Sequence, residues 1–544
     1  MDPRQPVDDY FVPWDNFTQF FLSRTDDSSI FLIELNHELH TRNEWTVAQW
    51  RERVFSAAQR LSDIGIRQGD SVAALAGNTA DALTLAYACW VTGACYVPLN
   101  FADSQTRLSY IVADSEARAL IYENSWEARA IEISRSSTDV VLCTARDLTR
   151  GTGDPAEVTA RRLQFSSSSL DATALRIYTS GTTGTPKGVV LSAESLLVDA
   201  DALARVTGWD ETTRVITVLP VHHVNGLIIS SLLPWFISGS TVLCDRFRTE
   251  LFWEDVAKES ATVCSVVPTL LEFMLSTPAE APVSFREMVC GAGPLRIETV
   301  LDFEQEFQRP VRHLYGLSET TAVVTLMPEM ESNTRRYWYR EFGFPSIGPA
   351  VPHARLAVVD PDGNELGPGA RGELVVRGRM VMAEYASESR ATMEAFRHGW
   401  FHSGDEGFWQ PAPGGEPYFF ITGRIKELII RGGVNISPFE VDEILRQHPQ
   451  VRYALAVPFE SRIYGDEIAA YVVAEGIVSE ADILTHCARF LDHSKCPKVV
   501  IFGEDVPYTA TGKAKRLELK QRLRPQLEAY RDEPFRRSAT ASPE

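Results

Sequence analysis

"IYTSGTTGTPKGVVLS", residues Ile177 to Ser192, sets three glycines, five aliphatic hydroxyls and one lysine between two apolar stretches. Gly181, Gly184 and Gly188 permit close backbone approach to a ligand. Thr179, Ser180, Thr182, Thr183 and Thr185 offer hydroxyl donors, and Lys187 supplies a point charge. Together these groups are equipment for holding phosphate. The loop is not of the Walker type, because its glycine spacing differs and Lys187 is followed by Gly188 rather than Ser or Thr. A plain turn between two strands would need neither five hydroxyls nor a lysine.

Outward from this loop the chain reads as α/β. Residues 45–125 alternate helical patterns ("TVAQWRERVFSAAQRLSDIG") with short apolar strands ("SVAALAG", "CYVPL", "ALIYEN"), and the alternation continues to about Leu326. Gly151 to Ala174, with "GTGDPAE" and "FSSSSLDATA", reads as a polar loop or join. From Ile347 to Arg379, short strands around "PDGNELGPG" indicate a small β-rich subdomain. After "FFITGRIKELIIRGGVNISPFEVDEIL" the pattern resets into a compact α+β set, with the boundary near Arg424 to Lys426. Ser437-Pro438-Phe439-Glu440 reads as a capping box with proline at the first helical position, turning Val441, Ile444 and Leu445 inward. Ser479-Glu480-Ala481-Asp482 repeats the device. The predicted architecture is a large N-terminal domain over residues 1–424, with two layered α/β sheets plus the β-rich subdomain, and a small α+β domain over 425–544. The final "FRRSATASPE" reads as a frayed tail.

Composition narrows the function. At 544 residues the chain exceeds a single hydrophobic core, and 44% hydrophobic with 23% charged residues suits a folded enzyme. Lys and Arg number 53 against 73 Asp and Glu, and the net charge of −20 opposes nucleic acid or anionic lipid as a partner. A small anionic substrate stays compatible, since a local pocket can be positive inside an acidic envelope. "MDPRQPVDDYF" lacks the basic end and apolar run of an export signal, and the eight cysteines form no CxxC pair; both suit reduced thiols in the cytoplasm. Two long uncharged runs, 82–99 and 215–244, are broken by Gly93 and Pro98 and by Pro220, His222, His223 and Asn225, so they read as buried elements and not as integral membrane segments.

Seven segments in order along nearly the whole chain resemble the adenylate-forming superfamily of acyl-CoA synthetases, non-ribosomal adenylation domains and luciferases. They are "YTSGTTGTPKG", "LPVHHVNG" (219–226), "GAGP" (291–294), "YGLSETT" (315–321), "WFHSGDEG" (400–407), "GRIKELIIRGGVNISP" (423–438) and "PYTATGK" (507–513). The resemblance implies ATP as substrate, bound by the glycine loop, by Gly291, Ala292 and Gly293 around adenine, by Tyr315 and Gly316 against its ring, and by Asp405 on the ribose hydroxyls with Arg424 beside it. A carboxylate carries acceptors only and can take two adjacent hydroxyls at once, which suits Asp405 to that place. Glu319 resembles the family's Mg2+ ligand, and Thr320 the residue that meets the α-phosphate. Lys513 resembles the lysine that bridges the carboxylate and α-phosphate during adenylation, where attack of one anion on another needs a cation. In the family the small domain is mobile and rotates after the adenylate forms. The hinge falls on Lys426, exposing Arg431, Gly432 and Gly433 to the thiol of coenzyme A. The two glycines would equally suit a plain hairpin turn.

The acid is addressed by fewer residues. Amino-acid-activating relatives hold the substrate ammonium with an aspartate near the second segment, but here it reads Val221-His222-His223-Val224-Asn225, which disfavours an amino acid. His223 aligns with the residue that gates the acyl pocket of CoA ligases, a satisfied core histidine being the alternative. His222, Asn225, Gly226, Leu317, Ala322 and Val323 are the remaining candidate pocket residues, with Trp235 as a further wall; Trp235, Leu317, Ala322 and Val323 would each equally suit the core. Val289, Gly291 and Gly316 stand where oxalate–CoA ligases carry serines and alanine, and Asn225 where they carry histidine. Smaller, less polar walls imply a medium, long or bulky apolar acid. The expected activity is a two-step carboxylate–CoA ligase. The alternatives are a ligase loading an acyl carrier protein or acting on another oxyanion, and a non-catalytic nucleotide-binding homologue.

Overall fold

The first apolar run resolves into two elements because Gly93 ends the first of them. Thr79 accepts the Ala82 N–H and caps the helix Ala80–Thr92, Gly93 takes a left-handed φ of 73°, and the chain re-enters as the strand Cys95–Leu99. The structure, a computed structural model, describes residues 2–135, 140–149, 168–180, 186–277, 279–293, 295–330, 332–432, 434–507 and 514–532. The predicted join 151–174 falls mostly outside these residues; its last two, Thr173 and Ala174, already belong to a strand.

Four sheets are formed among the described residues. In one, Thr173–Ser180, Cys95–Leu99, Ser71–Leu75, Ala117–Tyr122 and Val141–Thr144 run parallel, and Pro186–Ser192 folds back antiparallel on Thr173–Ser180. The glycine loop therefore joins two adjacent strands, and the short strand Glu384–Tyr385 pairs beyond them, Tyr385 opposite Val189. The second sheet is parallel from Val311–Tyr315 through Glu287–Cys290, Val263–Val266, Arg214–Thr217 and Ser240–Cys244 to Ile30–Asn36. One apolar core, with Trp50, Tyr87, Trp90 and Trp235 among its largest members, packs helices between these two sheets. Trp235 stacks on Phe21 at 4.5 Å and lies edge-on to Phe31; it is a core residue and not the predicted pocket wall.

The β-rich subdomain is larger than its sequence pattern indicated. Its antiparallel sheet runs from Ser346–Gly348 to Pro417–Arg424 and sets Asp405 directly opposite Arg424. The fourth sheet begins at Ile429–Arg431 and encloses its own core of Ile429, Val441, Leu445, Ile468, Ile483 and Cys487. The two predicted helix starts behave differently. Ser479 and Asp482 form the reciprocal capping box of the helix Glu480–Phe490. Ser437 stands at the N-cap of Pro438–Arg446 but donates its hydroxyl to the Thr422 carbonyl, so it ties the small unit to the third sheet in place of capping its helix. Among the described residues no helix is long and apolar enough to cross a membrane, and the eight cysteines are free thiols.

Candidate active site

Gly316 ends the strand Val311–Tyr315 and opens the turn that carries Ser318, Glu319 and Thr320. A Cβ on Gly316 would lie 2.0 Å from the Ala322 carbonyl oxygen, so no side chain fits. Thr321 follows at φ 67°, a left-handed position that strains a β-branched residue by about 1–3 kcal/mol. Bonds from elsewhere in the chain hold that turn and the residues that follow it. Thr321 donates its hydroxyl to the Met380 carbonyl, the Met382 N–H donates to the Glu319 carbonyl, and the Tyr385 hydroxyl donates to the Glu319 carboxylate at 2.8 Å. Just beyond the turn, the Val323 N–H donates to Asp199 at 3.0 Å and the Val324 N–H to the Tyr315 carbonyl at 2.9 Å.

Tyr385 brings the lysine of the glycine loop to this turn. Lys187 Nζ lies 4.9 Å from the Tyr385 ring centroid, and the Ala386 N–H donates to the Gly188 carbonyl. Burial and the neighbouring Glu319 push the Tyr385 hydroxyl well above its ordinary pKa, so it stays a donor. Glu319 makes no second side-chain hydrogen bond among the described residues. One hard oxygen close to Lys187 is a donor of the kind that suits Mg2+, and no cluster of three or more metal-ligating side chains occurs among the described residues. Thr320 is fully buried, and its hydroxyl is engaged with both the N–H and the carbonyl of Leu317.

A second cluster forms where the third sheet meets the second. Tyr315 donates its hydroxyl to Asp405 at 2.6 Å, Arg424 Nε pairs with the other Asp405 oxygen at 2.7 Å, and the Asp405 N–H donates to Ser403 Oγ. Asp405 is buried, which raises the value of each of these bonds, and the Tyr315 hydroxyl is pushed up by burial and by the carboxylate. Arg424 feels both Asp405 and Glu319, so the two clusters share one field. Of the adenine-edge candidates, Ala292 sits at φ 64° and Gly291 packs on Leu314, where a Cβ would lie 2.3 Å from Leu314 Cδ1; Gly293 has space around it.

The segment 219–226 is pinned by Asn78, which donates to the Leu219 and Cys244 carbonyls and accepts the Val221 N–H. His222 and His223 lie 4.5 Å apart. His222 is buried, its ring nitrogens meet no partner among the described residues, and burial next to His223 lowers its pKa to about 3, which keeps it neutral. Ser265 donates to the Asn225 side-chain oxygen at 2.8 Å, and Gly226 is required because a Cβ would lie 2.5 Å from the Pro220 carbonyl. Ala322 and Val323 are core, and Leu317 is half-buried. The space that Gly291 and Gly316 were expected to add to the acyl pocket is already filled by Leu314 and the Ala322 carbonyl. The size argument for a large apolar acid loses its support at both positions.

The small unit departs from expectation at Arg431. Its guanidinium turns inward, pairs with the fully buried Glu467 at 2.9 Å and lies over the Tyr464 ring, so it does not present itself to a thiol substrate. Gly432 has φ 58° and donates its N–H to the Tyr464 carbonyl, the geometry of a hairpin turn. Lys426 lies in a single 3-10 turn, Ile425–Glu427, between the third and fourth sheets. Gly181, Thr182, Thr183, Gly184, Gly433 and Lys513 lie outside the described residues, and Thr179 and Ser180 end the strand that leads into the loop. Asn78, Tyr385 and Asp199 are absent from the sequence-based candidates; only the "EYA" of Tyr385, beside a charged residue in an apolar run, gave any sign.

Asp199 is fully buried with no counter-charge, and burial raises its pKa to about 8. Its folded pKa lies above the unfolded one, so the native state retains a proton that the unfolded chain releases. Stability therefore falls as pH rises from about 4 to 8 and levels off beyond. Asp199→Asn should raise Tm, by a margin that widens between pH 5 and pH 8 in thermal melts; a margin independent of pH is the contrary result.

The AMP-binding enzyme family model matches residues 25–386, and the AMP-binding enzyme C-terminal domain matches 440–513. The chain is 36% identical to a sulfoacetate–CoA ligase of Cupriavidus necator, covering 84% of this chain and 88% of that one. It is 31% identical to an oxalate–CoA ligase of Arabidopsis thaliana, covering 87% and 92%. The solved o-succinylbenzoate CoA synthetase of Bacillus subtilis, in complex with its acyl-adenylate intermediate, superposes with a TM-score of 0.80 at 25% identity, over 94% of this chain and 99% of that one. With a large α/β N-terminal domain, a small C-terminal one and a family match over most of its length, the chain belongs to the AMP-binding enzyme family.

Proposed function

We propose that the chain is an ATP- and Mg2+-dependent carboxylate–CoA ligase. The acid's carboxylate attacks the α-phosphorus of ATP, pyrophosphate leaves, and the thiol of coenzyme A then attacks the acyl carbonyl and releases AMP. The observation that carries the reading is the convergence of Lys187, Tyr385 and Glu319 with Asp405 and Arg424, on strands of the first and third sheets and the turn that follows a strand of the second. Lys187 and the glycine loop would hold phosphate, and Glu319 would hold Mg2+, which neutralises the charge of the triphosphate. Gly291, Ala292, Gly293, Tyr315 and Gly316 would border the base, and Asp405 with Arg424 would take the ribose hydroxyls. Thr320 would reach the α-phosphate by giving up its bond to Leu317. Lys513 would supply the cation between the two reacting anions, and His223 would gate the acyl site. The N-terminal domain would end at residue 424 and the small domain begin at 425, swinging about Lys426.

For the acid, the polar groups of His222, His223, Asn225 and Ser265 and the absence of added space at Gly291 and Gly316 favour a compact acid with a second polar or acidic group. The acids named for two relatives, sulfoacetate and oxalate, share that chemistry. An acid panel assayed for pyrophosphate and AMP release, with and without CoA, tests the whole reading. Turnover that needs CoA and peaks on compact diacids supports it. Turnover only on fatty acids overturns the acid assignment, and no AMP from any acid overturns the activity.

Asp405→Ala should raise the KM for ATP about tenfold or more with a smaller change in kcat, because ribose binding is shared by ground and transition states. Arg424 keeps 40% side-chain exposure, so water can meet the charge left behind and the variant should fold. A normal KM for ATP removes Asp405 from the ribose role.

A further inference from the structure

Asp199 lies in the helix Ala193–Thr207, which follows directly from the strand Pro186–Ser192 that carries Lys187. Its carboxyl reaches 124 residues along the chain to accept the Val323 N–H, and the Ala322 N–H acts on the same group. The other carboxyl oxygen is buried and has no partner among the described residues. No charged side chain acts on the group, so a hydrophobic residue would satisfy this position better unless the backbone it holds matters. The bond falls two residues beyond the turn 318–321. The ties at Met380, Met382 and Tyr385 all come from one short segment, and beyond Val323 the chain is held next by the Val324 N–H on the Tyr315 carbonyl and the Val351 N–H on the Val324 carbonyl. Thr321, β-branched at φ 67°, is a strained position between these ties, of the kind that persists only where the surroundings hold it.

We propose that Asp199 is a positioning residue for the reaction: it anchors residues 322–323 and so sets the placement of Glu319 and Thr320 relative to Lys187. The proposal rests on the role assigned above to Glu319. Two separate measurements keep the anchor and that role distinguishable. The first is hydrogen exchange over residues 315–326 in the full chain, for Asp199→Ala and Asp199→Asn. The second is kcat and the Mg2+ concentration for half-maximal rate in the same proteins.

A buried N–H left without its acceptor should raise exchange in that segment about tenfold in Asp199→Ala. It should also lower kcat and raise the Mg2+ requirement by a similar factor. Asp199→Asn keeps a neutral carbonyl acceptor in the same place and should restore both to within about twofold of the native protein. If the alanine variant does not fold, Asp199→Ser, whose hydroxyl is too short to reach the amide, takes its place in the comparison. Unchanged exchange in the alanine or serine variant overturns the anchor. Raised exchange with unchanged kcat and Mg2+ requirement retains the anchor but overturns its place in the reaction, and with it the catalytic reading of the turn. Failure of asparagine to rescue overturns the hydrogen bond as the cause.

Discussion

Lys513→Ala should lower acyl-adenylate formation at least about a hundredfold, the scale of losing one preorganised cation at a site of developing charge, while discharge of supplied acyl-adenylate by CoA should keep its rate. The asymmetry follows from the two chemistries. In the first step a carboxylate approaches a phosphorus already surrounded by anionic oxygens, so a cation between them is needed. In the second a thiol meets a carbonyl already activated by its AMP leaving group, and no second anion must be brought close. Single-turnover formation of adenylate, followed by a separate discharge assay, resolves the two. Equal losses in both steps overturn the role given to Lys513. Loss confined to discharge reverses it.

The residues legible in the sequence share one property. Lys187, Glu319, Asp405 and Arg424 each stand in one of the segments that carry the family resemblance, Lys187 alone in a loop whose chemistry is legible without it, and the structure gathers them around Tyr385 and Tyr315. The residues that escaped notice act over long separations. Asn78 and Val221 are 143 residues apart, Asp199 and Val323 are 124, and each first partner stands among other polar residues, Thr79 and Asp81 for Asn78 and Asp201 for Asp199. Nothing local distinguishes such a residue from a solvated helix position. Misread residues fall into the same class. Ser437 satisfies every local rule for a helix cap, yet its hydroxyl reaches Thr422 because the third sheet lies alongside. Arg431 sits in a segment that suggested exposure, yet Glu467, 36 residues later, draws it inward. Glycine is ambiguous for a related reason. An absent side chain opens a pocket only where no backbone fills the gap, and at Gly316 the Ala322 carbonyl fills it.

Lys426→Pro should separate the two half-reactions: adenylate formation persists while its discharge by CoA falls at least about tenfold, because proline fixes φ near −65° and restricts the residue before it. Lys426 lies in the one 3-10 turn linking the last strand of the third sheet to the first strand of the fourth, and the Leu428 N–H donates across it to the Arg424 carbonyl. Arg424 belongs to the Asp405 cluster and Ile429 to the core of the small unit, so few residues are left to absorb a rotation between them. A swing of the small domain must therefore pass through the backbone angles of residues 425–428. The contacts made in the described pose include an ion pair between Arg296 and Glu443 that joins the two units and would have to break during that swing. Single-turnover adenylate formation and CoA discharge, with circular dichroism to establish folding, give the readout. A folded variant that discharges its adenylate at the native rate rules out rotation about this turn. Equal loss of both steps places Lys426 in the chemistry and not in the hinge.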